Sequence, residues 1–155
     1  MKRLLAFLLF VVACHAQYQC EHAADQICIV GQLSSAQVLA LNSSPVTVLK
    51  APGSGVGIQV DHVTIKLAAG SSPYTFSGTV GFQYHQSVSA VGNSCASGIL
   101  TATPPGQVCF MSPTVALVSL SAFFNRALDI AASSAPTGGN GTLNYWVRYH
   151  FVYDF

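Results

Sequence analysis

The residues that could carry chemistry are few and lie far apart. The strand-rich part of the chain has three carboxylates, Asp61, Asp129 and Asp154. A hydrolase that uses paired carboxylates needs two of them in one cleft, and these three fall in separate predicted strands. We therefore predict that the protein is not an enzyme and has no catalytic residue. A secreted hydrolase stays as a third hypothesis, which requires two of these aspartates to meet.

The histidines do not indicate a catalytic or metal-binding site either. Asp61 is followed directly by His62, but adjacent residues of a strand point to opposite faces, so the two side chains cannot form a catalytic dyad. His85 and His150 have no second ligand at a metal-binding spacing. We expect structural roles for them and predict neither a metal nor a cofactor.

Two familiar sequence motifs are missing. The chain has no Gly-x-Ser-x-Gly nucleophile elbow, which is the usual signal of an exported esterase. The glycine-rich run APGSGVG at residues 51–57 lacks the Gly-Lys pair of a phosphate-binding loop. A tight turn is the better interpretation of that run.

Charge is scarce. Charged residues make up 7% of the 155 residues, against about 25% in ordinary soluble proteins, and the mean hydropathy is +0.48. The formal net charge is +1 and no basic cluster appears along the chain, so nothing here would neutralise nucleic-acid phosphates. We predict no nucleic-acid partner.

The N-terminus has the pattern of a secretory signal, with Lys2 and Arg3 before the apolar run Leu4 to Ala13. That run is about half the roughly 20 residues of a membrane-spanning helix, so we expect no integral span in the mature chain. Cleavage after Ala16 would leave 139 residues with four cations and five anions. Residues 11–14, VVAC, also resemble a lipoprotein box, in which Cys14 would be lipidated instead of removed.

Without Cys14 the chain keeps an even number of cysteines, Cys20, Cys28, Cys95 and Cys109. Four cysteines allow three connectivities. The short loops Cys20–Cys28 and Cys95–Cys109 both flank turn-like sequence. We therefore favour disulfides that pair Cys20 with Cys28 and Cys95 with Cys109, formed in an oxidising compartment. The wide spacings disfavour a zinc site.

Period-two patterns separated by turns dominate the rest of the chain. A helical turn capped by Ser34 or Ser35 is expected before Leu41. The runs that predict strands are Val46–Leu49, Ile58–Leu67, Val80–Tyr84, Ile99–Thr103, Val115–Leu120, Ala127–Ala132 and Thr142–Asp154. Seven or eight short strands of this spacing indicate an all-β protein with a single jelly-roll β-sandwich. We divide the chain into a signal (1–16), a cysteine-bearing N-terminal arm (17–44) and the jelly-roll domain (45–155).

The last predicted strand is the clearest. In TLNYWVRYHFVYD, Leu143 and its period-two partners form one face and Trp146 lies on the other. Both faces of several strands are apolar or neutral, which favours an interface between subunits. Trp146 could equally fill the core. The aromatic residues that could pack on a partner or stack on sugar rings are Tyr74, Phe76, Tyr84, Trp146 and Tyr149.

Four segments in order resemble a group of small bacteriophage and prophage virion proteins with a tumour-necrosis-factor-like jelly roll. They are Leu33–Gly55, Ile65–Val80, Phe123–Leu143 and Tyr145–Phe155, and from the first to the last they span about 125 residues. The matching positions include Asn125 and the turn residues Pro52, Gly53, Gly55, Gly138 and Gly141. The resemblance implies structural roles for these residues and a homotrimer packed through one sheet.

Two main functions follow as expectations. The first is a trimeric decoration, fibre or tail component of a virion, which contacts itself and capsid or tail proteins. The second is an exported or lipid-anchored bacterial surface protein that binds cell-surface glycans. Both have the same fold, and they differ in where the protein is found.

Overall fold

The computed structural model of the protein describes residues 26–68, 70–85, 94–102, 108–112 and 123–154. The predicted signal, Cys14 and Cys20 lie outside these ranges, as does the predicted strand Val115–Leu120. Seven strands and two short helices are found in the described part: β1 Ile27–Leu33, α1 Ser35–Ala40, β2 Val46–Leu49, β3 Val56–Ala68, β4 Val80–Tyr84, α2 Gly98–Thr101, β5 Val108–Met111, β6 Leu128–Ala132 and β7 Thr142–Tyr153.

The strands form two antiparallel sheets that face each other. Sheet A has the order β1-β7-β3-β5, and sheet B has the order β2-β6-β4. Every strand is followed along the chain by one in the other sheet, so no strand pairs with its immediate successor. Cys95 adds a single bridge to Val80 on the free side of β4. This arrangement confirms the predicted all-β sandwich, and its alternating connections are those of a jelly roll.

Apolar side chains from both sheets meet between them. In β7 the predicted alternation places Leu143, Val147 and Tyr149 in the core. Sheet B contributes residues such as Val80, Phe82 and Ile130 from the opposite side. Gly31 of β1 is needed for close packing, because a Cβ there would lie 2.1 Å from the Tyr145 hydroxyl.

A β-bulge at Asp61 keeps both halves of β3 facing the core. Val60 pairs with Tyr149 and His62 pairs with Arg148, so Asp61 has no partner of its own in the ladder. The extra residue shifts the buried positions from even to odd numbers. It also turns Asp61 towards the solvent side of sheet A, where it meets His150.

Helix α1 begins as its sequence predicts. The Ser34 hydroxyl accepts a hydrogen bond from the Gln37 N–H, and the Gln37 side chain accepts one from the Ser34 N–H. These two bonds form a capping box and satisfy donors that a helix start otherwise leaves free. Of the two candidate caps, Ser34 is therefore the one used.

Two local predictions need correction. The sequence pattern predicts no strand before Val46, yet Ile27–Leu33 forms β1 and pairs along its whole length with β7. Sheet A thus begins upstream of residue 45. The run Ile99–Thr103 was predicted as a strand, but Gly98–Thr101 is a helical turn whose Ile99 and Leu100 are both buried. An apolar run this short has no periodicity that separates the two conformations.

Two of the features that match the phage protein family, the turn at Gly53 and Gly55 and the residue Asn125, contact each other. Gly53 and Gly55 have positive φ angles, and Asn125 is the described non-glycine residue that also does, at φ 52°. The Asn125 side chain accepts a hydrogen bond from the Gly53 N–H at 3.1 Å, and its own N–H donates to the Val56 carbonyl at 2.8 Å. Asn tolerates this left-handed conformation better than most residues, so the contact gives Asn125 a structural role.

Candidate contact surface

Asp129 is the buried carboxylate of the described residues, and it joins all three strands of sheet B. Its side chain is 3% exposed. One carboxylate oxygen accepts a hydrogen bond from the Thr47 hydroxyl of β2 at 2.7 Å. The other accepts one from Nδ1 of His85, just after β4, at 2.6 Å. A buried charge needs such partners, so these bonds explain how Asp129 is tolerated on β6.

A second carboxylate and histidine pair lies on sheet A. Asp61 Oδ2 is 3.1 Å from His150 Nδ1, and both side chains are partly exposed. Asp61 and Asp129 thus belong to different sheets and bind different histidines, while the Asp154 N–H donates to the Gly55 carbonyl. The hydrolase hypothesis required two of these carboxylates in one cleft, and the described structure does not bring them together. Within the described ranges, no group of three or more His, Cys, Asp or Glu side chains could hold a metal ion.

Four of the five candidate aromatic residues belong to the core. Tyr74, Phe76, Tyr84 and Tyr149 are all buried. The Tyr84 hydroxyl donates to the Ile58 carbonyl at 2.6 Å, and burial raises the pKa of Tyr84 to about 12. Their rings do not supply the exposed aromatic surface that the sequence suggested. Strand alternation alone could not separate an inward from an outward ring in these short runs.

Trp146 is the candidate aromatic that remains near the surface, on the solvent side of sheet A. It is in register with Val30 of β1 and Thr64 of β3, and Thr64 is in turn in register with Phe110 of β5. Phe110 is 70% exposed and Val30 is 52% exposed. We call these four residues the central row, and we call the solvent side of sheet A the outer face.

Polar and charged residues flank the central row on both sides. On one side Lys66 is in register with Asn144, whose side chain accepts a hydrogen bond from Gln32 at 2.7 Å. On the other side His62 is in register with Arg148, followed by the Asp61 and His150 pair. An apolar centre with a polar surround is the usual anatomy of a protein interface.

His62 connects the polar flank to the aromatic rings. Its ring centroid lies 5.5 Å from that of Trp146 and 6.2 Å from that of Phe110. Burial, followed by the positive charge of Arg148, lowers the pKa of His62. Arg148 Nε is itself buried and has no hydrogen-bond acceptor within the described structure.

The disulfide between Cys95 and Cys109 links the two sheets at one side of the sandwich. Cys109 lies on β5, the outermost strand of sheet A, and Cys95 lies beside β4, the outermost strand of sheet B. The predicted pairing of these two cysteines is confirmed. Cys28 also forms a disulfide, while the predicted partner, Cys20, lies outside the described residues.

Comparisons with known proteins find likeness only at the level of the fold. No family model and no curated protein matches the sequence. A chain of the capsid asymmetric unit of cyanophage Pam1 is 15% identical, with 92% of this chain and 99% of that chain aligned at a TM-score of 0.53. A chain of the capsid of Ralstonia phage GP4 is 12% identical, with 85% and 88% aligned at a TM-score of 0.38. The second likeness is too weak to support an argument.

The outer face could not be predicted from the sequence, for a physical reason. Its central row joins residues from four strands that are up to 116 positions apart, Val30 to Trp146, and only the register of the sheet brings them together. The histidine and aspartate pairs are separated by 44 and 89 positions. The alternation in β7 did place Trp146 on the face opposite Leu143, which was the one local signal for this surface.

Proposed function

We propose that the protein is a non-enzymatic structural component of a phage virion, acting as a decoration subunit of the capsid. The observation that supports this most is the likeness to a capsid chain of cyanophage Pam1, which extends over nearly the whole of both chains. The two chains are therefore of similar length, and the shared fold takes up most of each. This favours a capsid component over a fibre or tail component.

The chemistry of the described residues supports a role based on packing. Asp61 and Asp129 each bind a histidine. The central row of the outer face presents the exposed apolar side chains Val30 and Phe110. A subunit that assembles by burying such surfaces needs no substrate and no steering charge. In keeping with the family resemblance, we propose a homotrimer as the unit that attaches to the capsid.

Particle purification tests the proposal. Virus-like particles from a culture carrying the gene would be separated on a density gradient and their proteins quantified by mass spectrometry. We expect this chain to sediment with the major shell protein at a fixed ratio across the particle peak. Recovery of the chain only in membrane or soluble extracellular fractions, with none in the peak, would refute a virion role.

An exported surface protein is the second candidate, because a specific observation favours it. The disulfide between Cys95 and Cys109 and the disulfide at Cys28 require an oxidising environment to persist, and a secretory signal would deliver the chain to one. Of the five candidate aromatic residues, Trp146 is the one left to stack on a glycan, since the other four are buried. Glycan-array binding that is lost in Trp146→Ala, by a chain absent from particles, would favour this function.

A further inference from the structure

We propose that the outer face of sheet A is a two-fold contact between two copies of this chain. The proposal rests on the proposed function in one respect only, that copies of the chain assemble. It adds which face they use and how the two copies are oriented. The occupant of the face is a second copy of the same face.

The apolar content of the central row is the first argument. Phe110 and Val30 are mostly exposed, and Val108 beside Phe110 on β5 is 42% exposed. Single exposed hydrophobic residues are ordinary, but a continuous group on one sheet face marks a contact site. Two sheet faces pack at a spacing of about 10 Å, which is how sheets A and B already meet on the other side.

The order of charges along β3 is the second argument, and it selects a second copy as the partner. Lys66 lies on one side of the central row, and Asp61 lies on the other, beyond His62. A two-fold axis parallel to the central row, between Thr64 and His62, would place Lys66 of each copy opposite Asp61 of the other. The face is therefore complementary to itself, as an isologous contact requires.

The same axis brings β7 of one copy across β7 of the other. Trp146 then lies opposite Arg148 of the second copy, an arrangement that favours a cation–π interaction. The low charge of the chain, 7%, keeps repulsion between identical copies small.

A charge exchange tests the orientation. The disulfide-intact protein would be studied by sedimentation velocity from 1 to 50 µM, concentrations on the order of those at which micromolar contacts dissociate. Lys66→Glu and Asp61→Lys should each weaken association about two- to tenfold, because each turns two opposite-charge pairs per contact into like-charge pairs. The double variant should restore the wild-type constant. If the double variant associates as weakly as the single variants do, the proposed orientation is wrong.

An aromatic substitution tests the face itself. Phe110→Asp should weaken association by at least tenfold, while Tyr153→Asp, at a ring that is 56% exposed at the end of β7 and off the outer face, should leave it unchanged. Circular dichroism would verify that both variants fold. A constant that Phe110→Asp does not change would overturn the use of this face.

The mass of the wild-type assembly separates the inference from the proposed function. A six-chain particle that Phe110→Asp reduces to three chains supports both the two-fold contact and the trimer. A two-chain particle supports the contact and refutes the trimer. A three-chain particle that no outer-face variant alters refutes the contact and leaves the virion role intact.

Discussion

Asp129 shows how one buried carboxylate can hold a sheet together. It accepts hydrogen bonds from Thr47 on β2 and His85 after β4 while lying on β6, so three strands share one anion. Truncation would remove both bonds at once, and a hydrogen bond to a charged group contributes more than a neutral one.

We expect Asp129→Ala to lower the free energy of unfolding by about 2–3 kcal/mol, because both charge-assisted bonds are lost. Urea unfolding at pH 7 measures the change. Asp61→Ala is the matched control, since the Asp61 and His150 pair is partly exposed and should contribute about 1 kcal/mol or less. Equal losses in the two variants would show that burial is not what makes Asp129 important.

His62 gives the protein a stability that depends on pH. Burial and the neighbouring Arg148 lower its pKa below the ordinary value of 6.5, so the folded state favours the neutral ring. As pH falls through 6.5, the unfolded chain takes up the proton first, and the folded state loses stability relative to it.

We therefore expect the wild-type protein to lose more stability between pH 7.5 and pH 5 than the His62→Gln variant does. Urea unfolding of both proteins at both pH values isolates the contribution of His62, because the other histidines are common to the pair. A His62→Gln variant with the same pH dependence as wild type would contradict this assignment.

At the scale of elements, the disulfide between Cys95 and Cys109 links two sheets that no strand pairing joins. It closes a segment of 14 residues and fastens β5 of sheet A to the bridge beside β4 of sheet B. The neighbouring strand β5 pairs only with β3 in the described structure, so this side of the sandwich depends on the covalent link.

Replacing both cysteines by alanine should lower stability by about 3 kcal/mol, the value expected for a closed loop of this size. Thermal unfolding with and without a reducing agent measures it. The reductant should lower the melting temperature of the wild-type protein and have a smaller effect on the variant. If reduction leaves the wild-type melting temperature unchanged, the disulfide does not contribute this stability.

The sequence was most informative for long elements and least for contacts between them. Twelve residues of alternation identified β7 and the residues of each of its faces, but not which face is buried. Ser34 or Ser35 as a cap indicated the start of α1, and the structure uses Ser34. The strand at Ile27–Leu33 was missed because its cysteine and glycine interrupt a short pattern. The turn at Gly98–Thr101 was misassigned because two adjacent apolar residues suit either conformation.

At the scale of the whole molecule, the strict alternation of strands between sheets makes every strand pairing distant in sequence. Even the nearest partners, β4 and β6 or β3 and β5, are separated by more than 40 residues, and β1 pairs with β7. Such a topology must close long loops before its contacts form, which slows folding.

We expect the disulfide-intact protein to refold in milliseconds to seconds, as all-β proteins of high contact order do. Stopped-flow tryptophan fluorescence measures this, because Trp146 lies on the central strand of sheet A and is the only tryptophan in the sequence. A main phase in microseconds would contradict the dependence on distant pairing.

Strand β7 is both the centre of sheet A and the last of the seven strands, with β1 on one side and β3 on the other. During translation, the partners of residues 142–153 leave the ribosome long before those residues are made. Sheet A therefore cannot be completed before β7 is made: until then β1 has no strand to pair with, and β3 can pair only with β5. The order of synthesis thus leaves sheet A in two unjoined parts, β1 alone and β3 with β5, until β7 joins them.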